Sequence, residues 1–252
     1  MIKALALEFY KLRRRYVGLS VLLLVGVQLA WAFAAASMAI ARNPDQAAWE
    51  PVIAIVASLN GLFAPIAAAI CVSRIGDMEH KGNTWKLLLS LSVKRGRLYA
   101  AKYSCAALIL LLACLVQSAA IAGFGIAQGF AEAVPLTLLA RLLLGTMAAH
   151  LVIIALQLWL SLALPNQAFA LCAGMIGGFL GVTGELFPSG IRQWIIWSYY
   201  SGLSPVVQRF DGGGLQFAVR EAGDVLMKLG VLAAVGLVIY TAGRFHVSRQ
   251  EV

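Results

Sequence analysis

Charge is scarce in this chain: only 12% of its 252 residues are Asp, Glu, Lys or Arg, against about a quarter in soluble domains. That shortage excludes an ordinary water-facing globule. Cysteine is scarce as well. Cys71, Cys105, Cys114 and Cys172 all fall within apolar runs and form no C-x-x-C pair, so they read as small apolar residues, without a disulfide frame or a zinc site. No phosphate-cradling G-x-x-x-x-G-K-[ST] loop is present, and the glycine cluster "GFGIAQG" from Gly123 to Gly129 has neither a preceding strand nor a lysine. A G-x-S-x-G elbow and an H-E-x-x-H helix are missing too. Catalytic, cofactor-binding and metal-ligating residues are therefore assigned to none. The middles of the apolar runs carry no acidic residue and the chain shows no internal repeat, which counts against an ion-coupled secondary transporter.

What is abundant is hydrocarbon, with 61% of residues hydrophobic. Runs of 18 or more apolar residues recur, each long enough to cross a hydrocarbon layer about 30 Å thick as a helix. The predicted spans fall at 17–41, 52–73, 103–128, 136–164 and 225–242, with a shorter, glycine-rich one at 168–182. The expectation is an all-α polytopic membrane protein, one transmembrane domain over 1–252 with about six spans in a lipid bilayer. The first run lacks a small-residue cleavage site and is followed by more spans, so it is expected to be retained. The formal net charge is +9. Its basic residues cluster beside the spans, where anionic headgroups are the nearer partner, so nucleic acid is not expected.

Lysine and arginine also set an orientation. With both termini inside, only Arg42, Arg141, Arg192, Arg209, Arg220 and Lys228 of the 20 basic residues lie outside, which fits an even number of spans with cytoplasmic ends in a bacterial cell membrane. Residues 1–16 place Ile2, Leu5, Phe9, Leu12 and Tyr16 on one helical stripe and Glu8, Lys11 and Arg15 on another, as an interfacial elbow helix would. Residues 185–224 are too polar to cross and too apolar for a solvated loop. Trp194, Trp197, Tyr199 and Tyr200 suit a headgroup boundary, with Pro188, Pro205 and "DGGG" as breaks, so an outer re-entrant or interfacial segment is expected.

The one long charged stretch, "DMEHKGNTWKLLLSLSVKRGRLYAAK", lies in a predicted cytoplasmic loop over 74–102. Gly82 and Asn83 can break the chain and cap a new helix, after which Trp85, Leu88 and Leu89 share one face at i, i+3 and i+4. Such a helix can insert an aromatic anchor into a groove on a soluble partner, or lie on the membrane while Lys94, Arg95, Arg97 and Lys102 enforce topology.

The stretch resembles the cytoplasmic signature of type-2 ABC exporter permeases, above all the lantibiotic-immunity and multidrug-like branch. An acidic residue, a Gly-x-Thr turn, a leucine-rich helix and a basic exit correspond here to Glu79, Gly82, Thr84, Trp85, Lys86, Leu87, Leu88, Arg95, Tyr99 and Lys102. Ser92 stands where the family often has proline. The resemblance implies that Glu79, Gly82, Thr84, Trp85, Lys86, Leu88, Leu89 and Arg95 couple the chain to two copies of an ABC ATP-binding subunit, which holds the ATP and Mg that this chain does not. It also implies a second permease, identical or similar, and a cargo that is an amphipathic lantibiotic-like peptide or a hydrophobic drug, hence a link to antibiotic resistance.

Other residues invite weighing. Glu185, Trp194, Trp197, Tyr199 and Tyr200 form a candidate substrate or gating region. Gly174, Gly177, Gly178 and Gly181 give overlapping G-x-x-x-G spacings that suit packing within the subunit or a dimer seam. Gln28, Gln117, His150 and Gln157 sit in spans and are expected to bond neighbouring helices more often than cargo. An intramembrane enzyme using His150 with Ser161 or Ser118, and a non-transporting scaffold, complete the alternatives.

Overall fold

The computed structural model describes residues 2–81, 95–211 and 214–249. The helices are α1 (Ile2–Arg13), α2 (Val17–Arg42), α3 (Trp49–Lys81), α4 (Arg95–Ala127), α5 (Leu136–Ala163) and α6 (Gln167–Thr183). Short helices α7 (Ser189–Arg192) and α8 (Tyr199–Gly202) follow, then strands β1 (Val206–Asp211) and β2 (Gly214–Val219), and finally α9 (Ala222–Arg249). Helices α2, α3, α4, α5 and α9 are long and apolar enough to cross a membrane. The sixth apolar helix, α6, has 17 residues, about 25 Å of rise, and passes into a 3-10 turn at Gly184–Leu186. The chain is an all-α multi-pass membrane protein.

Local sequence explains where these helices begin. Pro44 starts a 3-10 turn after α2, with the Asn43 side chain accepting from Asp45 N–H at 3.1 Å. Asn166 caps α6 by accepting from Ala168 N–H at 3.0 Å, and the Gln167 amide donates to the Ser161 and Leu164 carbonyls, closing the hairpin from α5. Between α1 and α2, Tyr16 takes the left-handed region at φ 52°. This conformation is uncommon for a residue with a β-carbon, and it turns the chain sharply from the elbow into the first span.

Helix α3 is the hub, packing against α2, α4, α5 and α6, while α9 leans on α5 and α4. Its closest neighbour is α6, and the reason is the glycine face of that helix. Gly174, Gly178 and Gly181 lie against Ala69, Leu62 and Gly61 of α3, and Gly177 lies under the Trp197 ring. Pro65 inside α3 has no N–H, so the Gly61 carbonyl four residues earlier lacks its helical donor. It faces Gly181. The G-x-x-x-G face thus packs within the subunit.

The structure moves several expected boundaries. Helix α3 runs on to Lys81 and α4 begins at Arg95, so both ends of the predicted 74–102 loop are helical continuations of spans. The outer segment contains an antiparallel hairpin with Val206 opposite Val219 and Asp211 opposite Gly214. An all-helical expectation had no place for it. On α1 the buried face is Leu5, Glu8 and Leu12, whereas Phe9 and Tyr16 face outward. The predicted apolar stripe is therefore split, Leu5 and Leu12 turning inward with Glu8, which a charged partner draws inside.

Candidate functional site

At the end of the bundle that carries both termini, α1, α3 and α4 meet in a buried ion cluster. Lys102 Nζ lies 2.6 Å from Glu79 Oε1 and 2.9 Å from Glu8 Oε2, and all three side chains are fully buried. Lys11, one turn beyond Glu8, reaches Glu79 Oε1 at 3.2 Å and Glu8 Oε1 at 3.5 Å. Two carboxylates face two ammonium groups, the balance that buried charge requires. Burial pulls the Lys11 ammonium down, but Glu8 and Glu79 outweigh it and hold its pKa above the ordinary lysine value. A raised lysine pKa contributes stability that is complete at neutral pH and is lost only as pH climbs through that raised value.

The cluster sits where α3 enters, and α4 leaves, the segment expected to dock a motor. Tyr99, one turn before Lys102, donates to the Ala155 carbonyl of α5 at 3.4 Å and meets Tyr240 of α9 edge-on. Helix α4 is therefore joined to α1, α3, α5 and α9 within two turns. Beside it a cleft of about 820 Å³ is lined by Arg95, Arg97, Arg244 and Phe245.

The sequence-predicted coupling residues divide accordingly. Glu79 is enclosed in the ion cluster and is not available to touch a partner directly, while Arg95 opens α4 and lines the basic cleft. Gly82, Thr84, Trp85, Lys86, Leu88 and Leu89 lie outside the described residues. Glu8 and Lys11, which complete the cluster, fall by sequence on the polar stripe of an interfacial elbow, with no partner assigned. The available signal was a pair of opposite charges at i, i+3 on a helix otherwise rich in leucine.

Midway along the bundle a second, uncharged network links four helices. The Gln28 amide donates to Asn60 Oδ1 at 2.7 Å, Gln117 donates to the same oxygen at 2.9 Å, and Asn60 Nδ2 donates to Gln117 Oε1 at 3.3 Å and Thr146 Oγ1 at 3.4 Å. The cavity beside it is about 20 Å³, room for about one water and no cargo. Gln157, with its amide turned, donates to the Ala170 carbonyl at 3.0 Å and accepts from Gly174 N–H at 3.1 Å. These polar groups bond neighbouring helices to one another.

The predicted outer region is split by the fold. Trp194 is 79% exposed, whereas Tyr199 and Tyr200 are buried. Tyr199 donates to the Gln193 carbonyl at 3.1 Å, and the Tyr200 hydroxyl lies 2.9 Å from His150 Nδ1. Trp197 Nε1 is buried with no partner among the described residues. Glu185 lies in the Gly184–Leu186 turn, and its side chain is outside the described residues. Tyr200 thus pins the outer segment into the bundle and cannot contribute to an exposed aromatic surface. Tyr200→Phe, which removes one hydrogen bond and leaves His150 without its partner, should lower stability by about 1–2 kcal/mol, read as a shift of the unfolding midpoint in detergent. His150 and Ser161 are eleven residues apart on α5, about 16 Å along the axis, and Ser161 bonds the Val72 carbonyl and Gln167. They do not form a base and nucleophile pair.

Residues 4–181, more than two thirds of the chain, match the family described as ABC-2 family transporter protein. Comparison with curated proteins gives no match. The matched stretch takes in α1 to α6, and so contains the whole ion cluster and both ends of the coupling segment.

Proposed function

The chain belongs to the ABC-2 transporter family, and on that premise we propose that it is the membrane half of an exporter whose motor docks between α3 and α4. Membership makes it an ABC transporter permease whose ATP-binding partner is a separate protein. In the proposed cycle, two copies of that partner close on ATP and push the 82–94 segment, with Trp85 and Leu88 as the anchor. Two permeases, identical or similar, then change the side to which they open. Both termini face the cytoplasm of a bacterial cell. The cargo is an amphipathic lantibiotic-like peptide or a hydrophobic drug expelled from the membrane, so the function is self-protection or drug resistance.

The observation that carries the coupling proposal is the buried Glu8, Glu79 and Lys102 cluster. A peripheral loop needs no charges locked into three helices, and burying them is costly unless each is paired. Here the pairs join the two helices that flank the docking segment to the elbow, so displacement of that segment moves three elements together. Arg95, Arg97 and Arg244 give the adjoining cleft a basic wall that complements an acidic partner surface.

Trp85→Ala combined with Leu88→Ala tests this. The double variant should insert normally, yet lose co-purification with the ATP-binding subunit or release its hydrolysis from cargo control. Unchanged assembly together with unchanged cargo-stimulated ATP turnover would refute docking through this segment.

A further inference from the structure

At the end of the bundle opposite the termini, a cleft of about 620 Å³ separates the 192–202 segment from the first turns of α9. Its walls include Arg192, Trp194, Met227, Lys228, Val231 and Val235. Helix α9 is the least covered of the spans, with 6% of its apolar window buried. The cleft therefore opens sideways toward hydrocarbon. Lys228 stands six residues into α9, about 9 Å along its axis, at the boundary between polar and apolar wall. Its ammonium donates to the Gly202 carbonyl at 3.3 Å and makes no ion pair among the described residues. Among the described residues, burial and the charges of Arg220 and Arg192 disfavour its ammonium form, and Asp224 favours it.

An ammonium has three N–H donors, and Gly202 takes one. A ligand that fits must supply anionic acceptors at Lys228 and hydrocarbon along Met227, Val231 and Val235. Cationic amphiphiles are repelled by the same wall. We propose that this cleft binds an anionic phospholipid, its phosphate at Lys228 and an acyl chain lying along α9. The site is independent of whether cargo passes through the chain, since it needs only the bilayer and these side chains.

The test uses the full chain in nanodiscs of phosphatidylcholine doped with brominated phosphatidylglycerol or with brominated phosphatidylcholine. Quenching of Trp194 is taken as the difference between the native chain and Trp194→Phe. Phosphatidylglycerol should be enriched about fivefold over phosphatidylcholine at Trp194, the ~1 kcal/mol that a near-surface lysine contributes toward anionic lipid. Lys228→Met should abolish that preference and Lys228→Arg should keep it. Val231→Trp, which fills the cleft without touching its charge, should reduce the phosphatidylglycerol retained in native mass spectra. Equal quenching by both lipids in the native chain would overturn the proposal, as would a preference that survives Lys228→Met. So would no quenching by either lipid, which would mean that a second copy or another chain covers the cleft. If Lys228→Met does not fold, Val231→Trp and Lys228→Arg decide the matter, and retention unchanged in Val231→Trp overturns it.

Discussion

Lys102→Met is expected to destabilise the protein by about 3–5 kcal/mol, the range for removing one partner from a buried charge pair. The ammonium is the common partner of Glu8 Oε2 and Glu79 Oε1, at 2.9 and 2.6 Å. Without it the two carboxylates share a buried site with only the partly exposed Lys11 close to them among the described residues. The unfolding midpoint in detergent should fall sharply, and protease should cut within residues 2–16 more readily as α1 detaches. Adding Glu8→Gln to Lys102→Met should recover part of the loss, because one uncompensated carboxylate is gone and the Lys11 to Glu79 contact remains. A single variant as stable as the native chain would show that the cluster does not hold these helices together.

Gly61→Leu comes next in expected size. A β-carbon at Gly61 would lie 2.9 Å from the Gly181 carbonyl oxygen, a backbone atom that cannot swing away, so α6 must part from α3. Overpacking of this kind costs about 1–3 kcal/mol and occasionally more, and here it strikes the most extensive helix contact in the bundle. Gly26→Ala is the control: a β-carbon there meets nothing within 4 Å, and the substitution should be neutral or slightly stabilising. Thermal midpoints of the two variants should separate clearly, with Gly61→Leu also losing monodispersity. Equal midpoints would mean that α3 and α6 are not in close backbone contact.

These two sites differ in how far sequence alone reveals them. The spans are legible because a run of apolar residues of membrane length has few alternatives, and the glycine spacing of α6 marks a close-packing face without naming its partner. Gln28 and Gln117 stand out as amides in hydrocarbon. Asn60 is an amide in a span as they are and was equally legible; which of these side chains meet, and that Thr146 joins them, depends on helix rotation that sequence does not give. The hairpin was legible in principle: "VVQRFDGGGLQFAV" holds two short runs joined by two residues of a Gly-Gly step, a hairpin signature. The aromatics and prolines that precede it are equally the signature of a segment at the membrane surface. The inward turn of Glu8 was not legible, since a charged residue on an amphipathic helix defaults to the polar face until Lys102 is placed beneath it.

The partner of Glu8 lies 94 positions later in the chain. At a synthesis rate of roughly 5–20 residues per second, the amino-terminal helix waits some 5–20 s on the ribosome before the ammonium that will neutralise it has even been made. During that interval Lys11 is the counter-charge one turn from Glu8, and the nascent elbow must rest at the lipid surface with its acidic side toward water. Seating of α1 therefore waits on α4, and a ribosome stalled before residue 102 would leave the elbow undocked.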